Sequence, residues 1–199
     1  GLPRFVKDGF RGPVYCTSGT RDLSALLLPD SAHIQEEEAR FANARGYSKH
    51  SPALPLYDQN DARRALKQFE SFGYERTKTI APGITLRFVQ AGAQAMPLAD
   101  ASCDGALMLK SLHHVPLALM DEALAELARV LRPGGWFYCS EPVYAGPLNE
   151  LMRLFNDEGE VRAAAQAALD RALAQGPWLA LAESRFEVPV AFADFAEFE

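Results

Sequence analysis

The chain has 199 residues, of which 48% are hydrophobic, and a formal net charge of −6 at pH 7. Its apolar runs are much shorter than the ~20 residues that a membrane-spanning helix needs, so we expect no membrane partner. The three cysteines are odd in number and lack CxxC spacing, which argues against a disulfide framework or a zinc site and favours a cytoplasmic protein. Residue 1 is Gly and no leader pattern follows, so we expect a piece of a longer protein.

The two halves of the chain differ in charge. Residues 1–91 carry a net charge of +3, whereas residues 92–199 carry −9. This asymmetry indicates segments of different origin, and we predict two domains, 1–91 and 92–199. The acidic second half argues against a nucleic-acid partner for that half, because nucleic acids are polyanions.

Two helices are predicted early in the first half. Thr20 would cap a helix that Pro29 interrupts, because proline lacks the backbone N–H that a helix interior requires. Asp30 or Ser31 would then cap a second helix, which would end near Gly46.

Strands and one more helix complete the prediction for this half. Residues 12–17 predict a short strand, and residues 74–80 and 84–89 predict a β-hairpin that turns at Pro82-Gly83. Asp58 would cap a helix with one apolar face. That face would be formed by Ala62, Leu66 and Phe69.

The second half shows a strand, helix and strand pattern. Residues 103–109 form a continuous apolar run, typical of a strand that is buried on both faces of a parallel sheet. Apolar residues recur at helical spacing over 120–131, and residues 136–140 predict the next buried strand. Residues 148–174 predict helix with one break, and the tail 186–198 predicts a strand.

Four motifs of the second half follow one another in a fixed order. They are Gln94-Ala-Met-Pro-Leu98, Ser102-Cys-Asp104, Leu112-His-His-Val115 and Leu131-Arg-Pro-Gly-Gly135. As a set they resemble the second half of class I S-adenosylmethionine-dependent methyltransferases of the type 11 kind. The resemblance implies an α/β fold, here a partial Rossmann-like sheet, with S-adenosylmethionine bound beyond the carboxyl ends of the strands.

The resemblance also implies site residues, while the methyl acceptor stays unknown. The cofactor-binding candidates are Gln94, Ala95, Lys110 and Ser111, and the substrate-facing candidates are His113 and Glu141. His113 and His114 also invite a catalytic or metal role. The alternatives are a structural turn that begins the crossover helix, for the histidines, and a solvated loop carboxylate, for Glu141.

Two departures from the family pattern weaken the expected cofactor site. In the family an acidic residue that precedes this Ala-x-x-Leu-Pro-like segment binds the adenine amino group, and Gly92 occupies that position here. The Gly-rich turn that normally follows the first strand has no match in residues 1–91. We therefore expect a truncated methyltransferase that binds S-adenosylmethionine weakly or not at all.

The first half carries a different resemblance, over residues 2–17, 28–36 and 81–92. These segments are similar to the middle of RNA-processing hydrolases of the metallo-β-lactamase fold, β-CASP type, which implies an α/β fragment. That family binds two zinc ions, but Ala93 stands where a ligand His is expected, so we predict no zinc. His33 and Glu37 have a chelating helical spacing, although an exposed acidic helix face is the simpler explanation.

Three functional hypotheses remain open at this point. The chain could be a methyltransferase-type enzyme, a remnant of a zinc-dependent RNA-processing hydrolase, or a non-catalytic chimera of two half-domains. Cofactor binding would identify the first, zinc the second, and the absence of both the third. An incomplete sheet leaves an open edge, through which the chain could also form oligomers.

Overall fold

We describe residues 1–187 of a computed structural model of the chain. These residues divide into two compact units, which comprise residues 1–90 and 91–187. Among them, no helix combines the length and apolar character needed to cross a membrane.

The first unit is dominated by a long helix that runs through a proline. Helix α1 spans Leu2–Lys7 and strand β1 spans Val14–Cys16, after which α2 spans Ser18–Arg45 with Pro29 in its interior. The expected interruption at Pro29, with a new cap at Asp30 or Ser31, is therefore wrong. The expected cap at Thr20 is also wrong, since the Thr17 hydroxyl accepts the Thr20 N–H at 3.2 Å. The end at Gly46 is confirmed, where a left-handed backbone (φ 71°) favours glycine.

Helix α2 passes Pro29 because tertiary contacts hold the following turns. Ala32 is fully buried against α3 (Gln59–Leu66), together with Tyr57 and Ala62. The Tyr57 hydroxyl donates to Ser31 Oγ at 2.9 Å. These contacts fix the segment after the proline in helical geometry, which the local sequence rule does not take into account.

Short strands complete the first unit. Strand β2 (Phe69–Ser71) pairs in parallel with β1, so Phe69 lies in a strand and not on the helix face predicted for it. Strands β3 (Thr77–Ala81) and β4 (Ile84–Arg87) form an antiparallel hairpin, as predicted, and Gly83 takes a positive φ of 75° at the turn.

The second unit is built on two parallel strands joined by a helix. Strand β5 spans Cys103–Leu109, α4 spans Met120–Val130, and β6 spans Leu131–Ser140. Strands β5 and β6 pair in parallel, with Ala106 opposite Phe137. The predicted pairing of these strands through a connecting helix is confirmed, as is the break in the helical region after them, which separates α5 (Pro147–Met152) from α6 (Gly159–Gln175).

Among residues 1–187, one face of the β5–β6 pair is covered and the other is not. Met108 packs with Leu124 and Leu127 of α4 and with small residues of α6. On the opposite face, Leu107 and Tyr138 are 62% and 53% exposed. The prediction that residues 103–109 are buried on both faces is therefore wrong, because the described residues provide no layer on the second face.

The predicted tail strand over residues 186–198 falls largely outside the described residues. Residues 181–187 have no regular secondary structure, and the rest of the predicted strand lies outside the described residues.

Candidate functional site

The candidate site lies where β5 and β6 end. At the end of β5, Lys110 adopts a positive φ of 51° and its N–H donates to the Ser140 carbonyl oxygen at 2.7 Å. This bond extends the parallel ladder by one residue, and the chain then turns into a short 3₁₀ helix at Leu112–His114. The carboxyl ends of parallel strands are where α/β folds of this type bind ligands.

Glu141 organises this loop from the end of β6. Its Oε1 accepts the backbone N–H groups of Ser111 at 2.9 Å and Leu112 at 2.7 Å. Its Oε2 lies 2.5 Å from Nδ1 of His113. The two side chains are 4% and 5% exposed, so the solvated-carboxylate alternative for Glu141 is wrong.

The contact with Glu141 has a consequence for the His113 imidazole. A carboxylate oxygen so close to Nδ1 favours the tautomer that carries its proton there. Within residues 1–187, Nε2 of His113 makes no hydrogen bond. In the neutral ring, Nε2 is therefore the basic nitrogen. The neighbouring His114 is exposed and packs against His113, with ring centroids 4.1 Å apart and an angle of 43° between the rings.

The segment that precedes β5 carries the other predicted site residues. Ala95 donates its N–H to the Gly92 carbonyl at 3.1 Å, which closes a tight turn. Gln94 folds back over Gly92, where a Cβ atom would meet the Gln94 amide oxygen at 2.4 Å. The Ala93 N–H has no hydrogen-bond partner within residues 1–187. Gln94 thus fills the space in which the family's acidic side chain would begin.

Two residues of α4 hold this segment in place. Glu126 Oε1 accepts the Met96 N–H at 2.8 Å, and Arg129 donates to the Leu98 carbonyl at 2.9 Å and the Met96 carbonyl at 3.2 Å. Arg129 also pairs with Asp100 at 2.5 Å and with Glu126 at 2.7 Å. We name this pair of α4 side chains the Glu126–Arg129 clamp.

The clamp shifts the titration of both its members. Hydrogen bonds from Arg129, together with the Met96 N–H, lower the pKa of Glu126 from its usual 4.5 to about 2. The same contacts raise the pKa of Arg129 above its ordinary value, with a further contribution from Asp100. The clamp is therefore fully charged across the physiological range.

The remaining polar groups near the strand ends differ in exposure. The Lys110 side chain is exposed and Ser111 is half-buried. Cys139 faces the covered side of the sheet, where burial, followed by the nearby Glu141 carboxylate, raises the pKa of its thiol to about 12. Cys139 is therefore a protonated core residue and not a nucleophile.

Residues 1–187 contain no group of three or more His, Cys, Asp or Glu side chains arranged to hold a metal ion. This includes His33 and Glu37, which lie on α2 without a third ligand of those types.

The predicted site residues fall into two places in the structure. The structure brings Ser111, His113 and Glu141 together in one network, whereas Gln94 and Ala95 lie in a separate turn. The clamp was not predicted. Its i, i+3 spacing was visible in the sequence, but only the fold shows that the two side chains reach back to residues 96–100.

Comparisons with known proteins place a methyltransferase-like region in the chain. Residues 59–139 match the model of the methyltransferase domain family, which is less than half of the chain. The match begins where α3 begins and ends within β6.

Two groups of curated relatives are similar to parts of the chain. The ubiquinone/menaquinone biosynthesis C-methyltransferase UbiE of Brucella anthropi is 41% identical over 71 residues, which cover 35% of this chain. The transcription termination factor FttA of Methanococcus maripaludis is 35% identical over 91 residues, or 46% of this chain. The matched stretches span only 26% and 12% of these relatives' own lengths.

Proposed function

We propose that residues 92–199 are the C-terminal part of an S-adenosylmethionine-dependent methyltransferase domain, joined to residues 1–91 of a different origin. The observation that carries the proposal is the parallel β5–β6 pair with α4 between its strands, within the region that matches the methyltransferase family. The similarity to the UbiE C-methyltransferase supports the same reaction class. The methyl acceptor would lie beyond the carboxyl ends of the two strands.

The residues present fit one end of the cofactor. The unpaired Ala93 N–H could donate to an adenine ring nitrogen, with Gln94 and Ala95 beside it, and Lys110 and Ser111 offer polar groups at the end of β5. The sequence supplies neither an acid at position 92 nor a Gly-x-Gly turn. Weak binding by this chain alone follows, because each unmade hydrogen bond forfeits about 0.5–1.5 kcal/mol.

His113 and Glu141 have complementary roles in this proposal. When bound, S-adenosylmethionine supplies an electrophilic methyl group, so the protein mainly has to orient the acceptor and remove its proton. Glu141 acts as a positioning residue, since it fixes Nδ1 of His113 and the amides of the loop. Nε2 of His113 is the atom that could take a proton from the acceptor.

Calorimetric titration with S-adenosylhomocysteine tests the proposed adenine placement. The unmodified chain should bind weakly, and Gly92→Asp should tighten binding about tenfold or more, because a charged hydrogen bond contributes about 1.5–3 kcal/mol. Gly73→Asp is the matched control, since Gly73 is exposed with open space around it. Micromolar binding by the unmodified chain would contradict the expected weak binding and favour an active methyltransferase, whereas no gain with Gly92→Asp would contradict the proposed adenine placement.

A second candidate concerns the first unit. The similarity to a transcription termination factor favours an origin in a protein that acts in transcription, in line with the RNA-processing hydrolase resemblance of residues 2–17 and 81–92. Metal analysis of the purified chain separates the alternatives. Stoichiometric zinc would support a hydrolase. The absence of both zinc and S-adenosylhomocysteine binding would support a non-catalytic chimera.

A further inference from the structure

The uncovered face of the β5–β6 pair is an apolar surface. Its six residues alternate along the strands with the residues that face α4 and α6. They form three register pairs, namely Gly105 opposite Trp136, Leu107 opposite Tyr138, and Leu109 opposite Ser140. We name these six residues the outer face. Within residues 1–187, its four large side chains are each between 52% and 62% exposed.

The shape of the outer face suits a flat partner. The Trp136 indole lies across Gly105, in the space that a Cβ atom at position 105 would occupy. The ring is therefore laid against the backbone of β5 and does not project from the sheet. A sheet face of this kind can pack against a second sheet at a distance of about 10 Å.

The outer face offers no charge to a partner. None of its six residues is ionisable at neutral pH. At the start of the two strands, Asp104 and Arg132 neutralise each other at 2.6 Å. A nucleic acid or a strongly charged peptide would gain nothing here, so the fitting partner is another uncharged apolar surface. A second copy of the chain carries such a surface, with the same dimensions.

The exposed area is sufficient for a small interface. An aromatic side chain buries about 150–250 Å² and a leucine about 130 Å², so the four large side chains present on the order of 300–400 Å². Two such faces would bury about 600–800 Å² before any rim contacts are added, whereas a specific interface needs roughly 1,000 Å² in total. The outer faces would thus supply most of the area of a weak, reversible dimer.

We propose that two copies of this chain associate through their outer faces, sheet against sheet. The interface is isologous, because the same face of each copy contacts the other. This arrangement differs from pairing through an open sheet edge, which would leave the outer face exposed to water. It does not depend on whether the second unit binds S-adenosylmethionine.

Sedimentation equilibrium of the full chain, from low micromolar to several hundred micromolar protein, tests the proposal. We expect a monomer–dimer equilibrium with a dissociation constant in the micromolar range, as a small interface implies. Each copy carries a net charge of −6, so high salt should screen the repulsion between copies and tighten the dimer. A monomer at every concentration, or a dimer that salt weakens, would overturn the proposal.

A charge placed on the outer face should prevent association. Leu107→Lys should weaken the dimer at least about tenfold, because an unpaired charge would be buried at the interface. Leu54→Lys is the matched control, since Leu54 is 77% exposed and lies in a loop of the first unit. Circular dichroism and the urea midpoint would verify that both variants are folded. Equal dimer affinity in the two variants would contradict the proposed interface.

Tryptophan fluorescence locates the contact without a change to the outer face. The chain has two tryptophans, so Trp178→Phe leaves Trp136 as the only emitter. Its emission should move to shorter wavelength, and its quenching by acrylamide should fall, as the dimer fraction rises. A dimer in which Trp136 stays fully quenchable would place the interface elsewhere and overturn the proposal. A monomer in which Trp136 is shielded would also overturn it, because the chain would then cover its own outer face.

Discussion

Removal of the Glu141 carboxylate should destabilise the second unit more than removal of any exposed acid. In Glu141→Leu, the Ser111 and Leu112 N–H groups and the His113 ring lose their shared partner in a site that is about 4% exposed. Each buried group left unpaired costs about 1–3 kcal/mol, and disruption of a buried charged network costs about 3–5 kcal/mol. We therefore expect a loss of about 3–5 kcal/mol.

Glu141→Gln separates the two roles of this side chain. The amide oxygen can still accept the Ser111 and Leu112 N–H groups, so the stability loss should be only about 1 kcal/mol, one net hydrogen bond. The amide NH₂ cannot accept from His113 Nδ1, so the ring should shift its proton to Nε2. Nitrogen NMR of the imidazole would detect this change of tautomer.

Urea unfolding together with amide hydrogen exchange measures these effects. Exchange at Ser111 and Leu112 reports the opening of this loop directly, which matters because a chain of two compact units need not unfold in one step. Glu150→Leu is the control, since Glu150 is 63% exposed and its one ion pair within the described part of the chain is with Arg153 at 3.2 Å. If Glu141→Leu costs less than about 1 kcal/mol, like the control, the network does not stabilise the loop.

Three further predictions follow from single positions. Because the pKa of Glu126 is lowered from 4.5 to about 2, its stabilising effect is complete above pH 4.5 and is lost as the pH falls towards 2. Glu126→Gln should therefore reduce the pH dependence of the free energy of unfolding between pH 4.5 and about 2, as measured by acid titration. A Cβ at Gly105 would lie 2.2 Å from the Trp136 ring, so Gly105→Ala should displace the indole, change its fluorescence and cost about 1–3 kcal/mol. Pro29→Ala should stabilise the first unit by up to about 3 kcal/mol and so raise its urea midpoint, and a lower midpoint would show that the helix needs the proline.

Local signals predicted the fold best where one residue type decides the geometry. The turn at Gly83 and the helix end at Gly46 both need a positive φ, and both were found in place. The continuity of α2 through Pro29 was not predicted, because the rule that proline ends a helix is local, whereas the packing of Ala32 against α3 is a long-range contact. The burial of β5 was overestimated for a similar reason. An apolar run shows that both faces of a strand could be buried, but it does not show that other elements cover both of them.

The site was predictable in its residue types but not in its connections. His113 and Glu141 were identified from motif positions at the ends of two strands, yet their direct contact depends on the register of β5 with β6. The position of Gln94 could not be predicted either. The sequence shows that Gly92 stands where the family has an acid, but only the structure shows that the Gln94 amide lies over Gly92.

The distribution of polar contacts in the second unit supports a ligand site at the strand ends. Side-chain hydrogen bonds hold two loops of this unit in place. The Glu126–Arg129 clamp binds residues 96–100, and Glu141 binds residues 111–113. A loop that only connects two elements does not require a buried carboxylate such as Glu141 with three hydrogen-bond partners. Its backbone groups can bind water instead. Restraints on both loops are what pre-organised binding requires, since they remove in advance the entropy that a ligand would otherwise have to overcome. If the second unit is the proposed methyltransferase part, its affinity for S-adenosylmethionine would be limited by the missing Gly-rich turn and not by the order of these two loops.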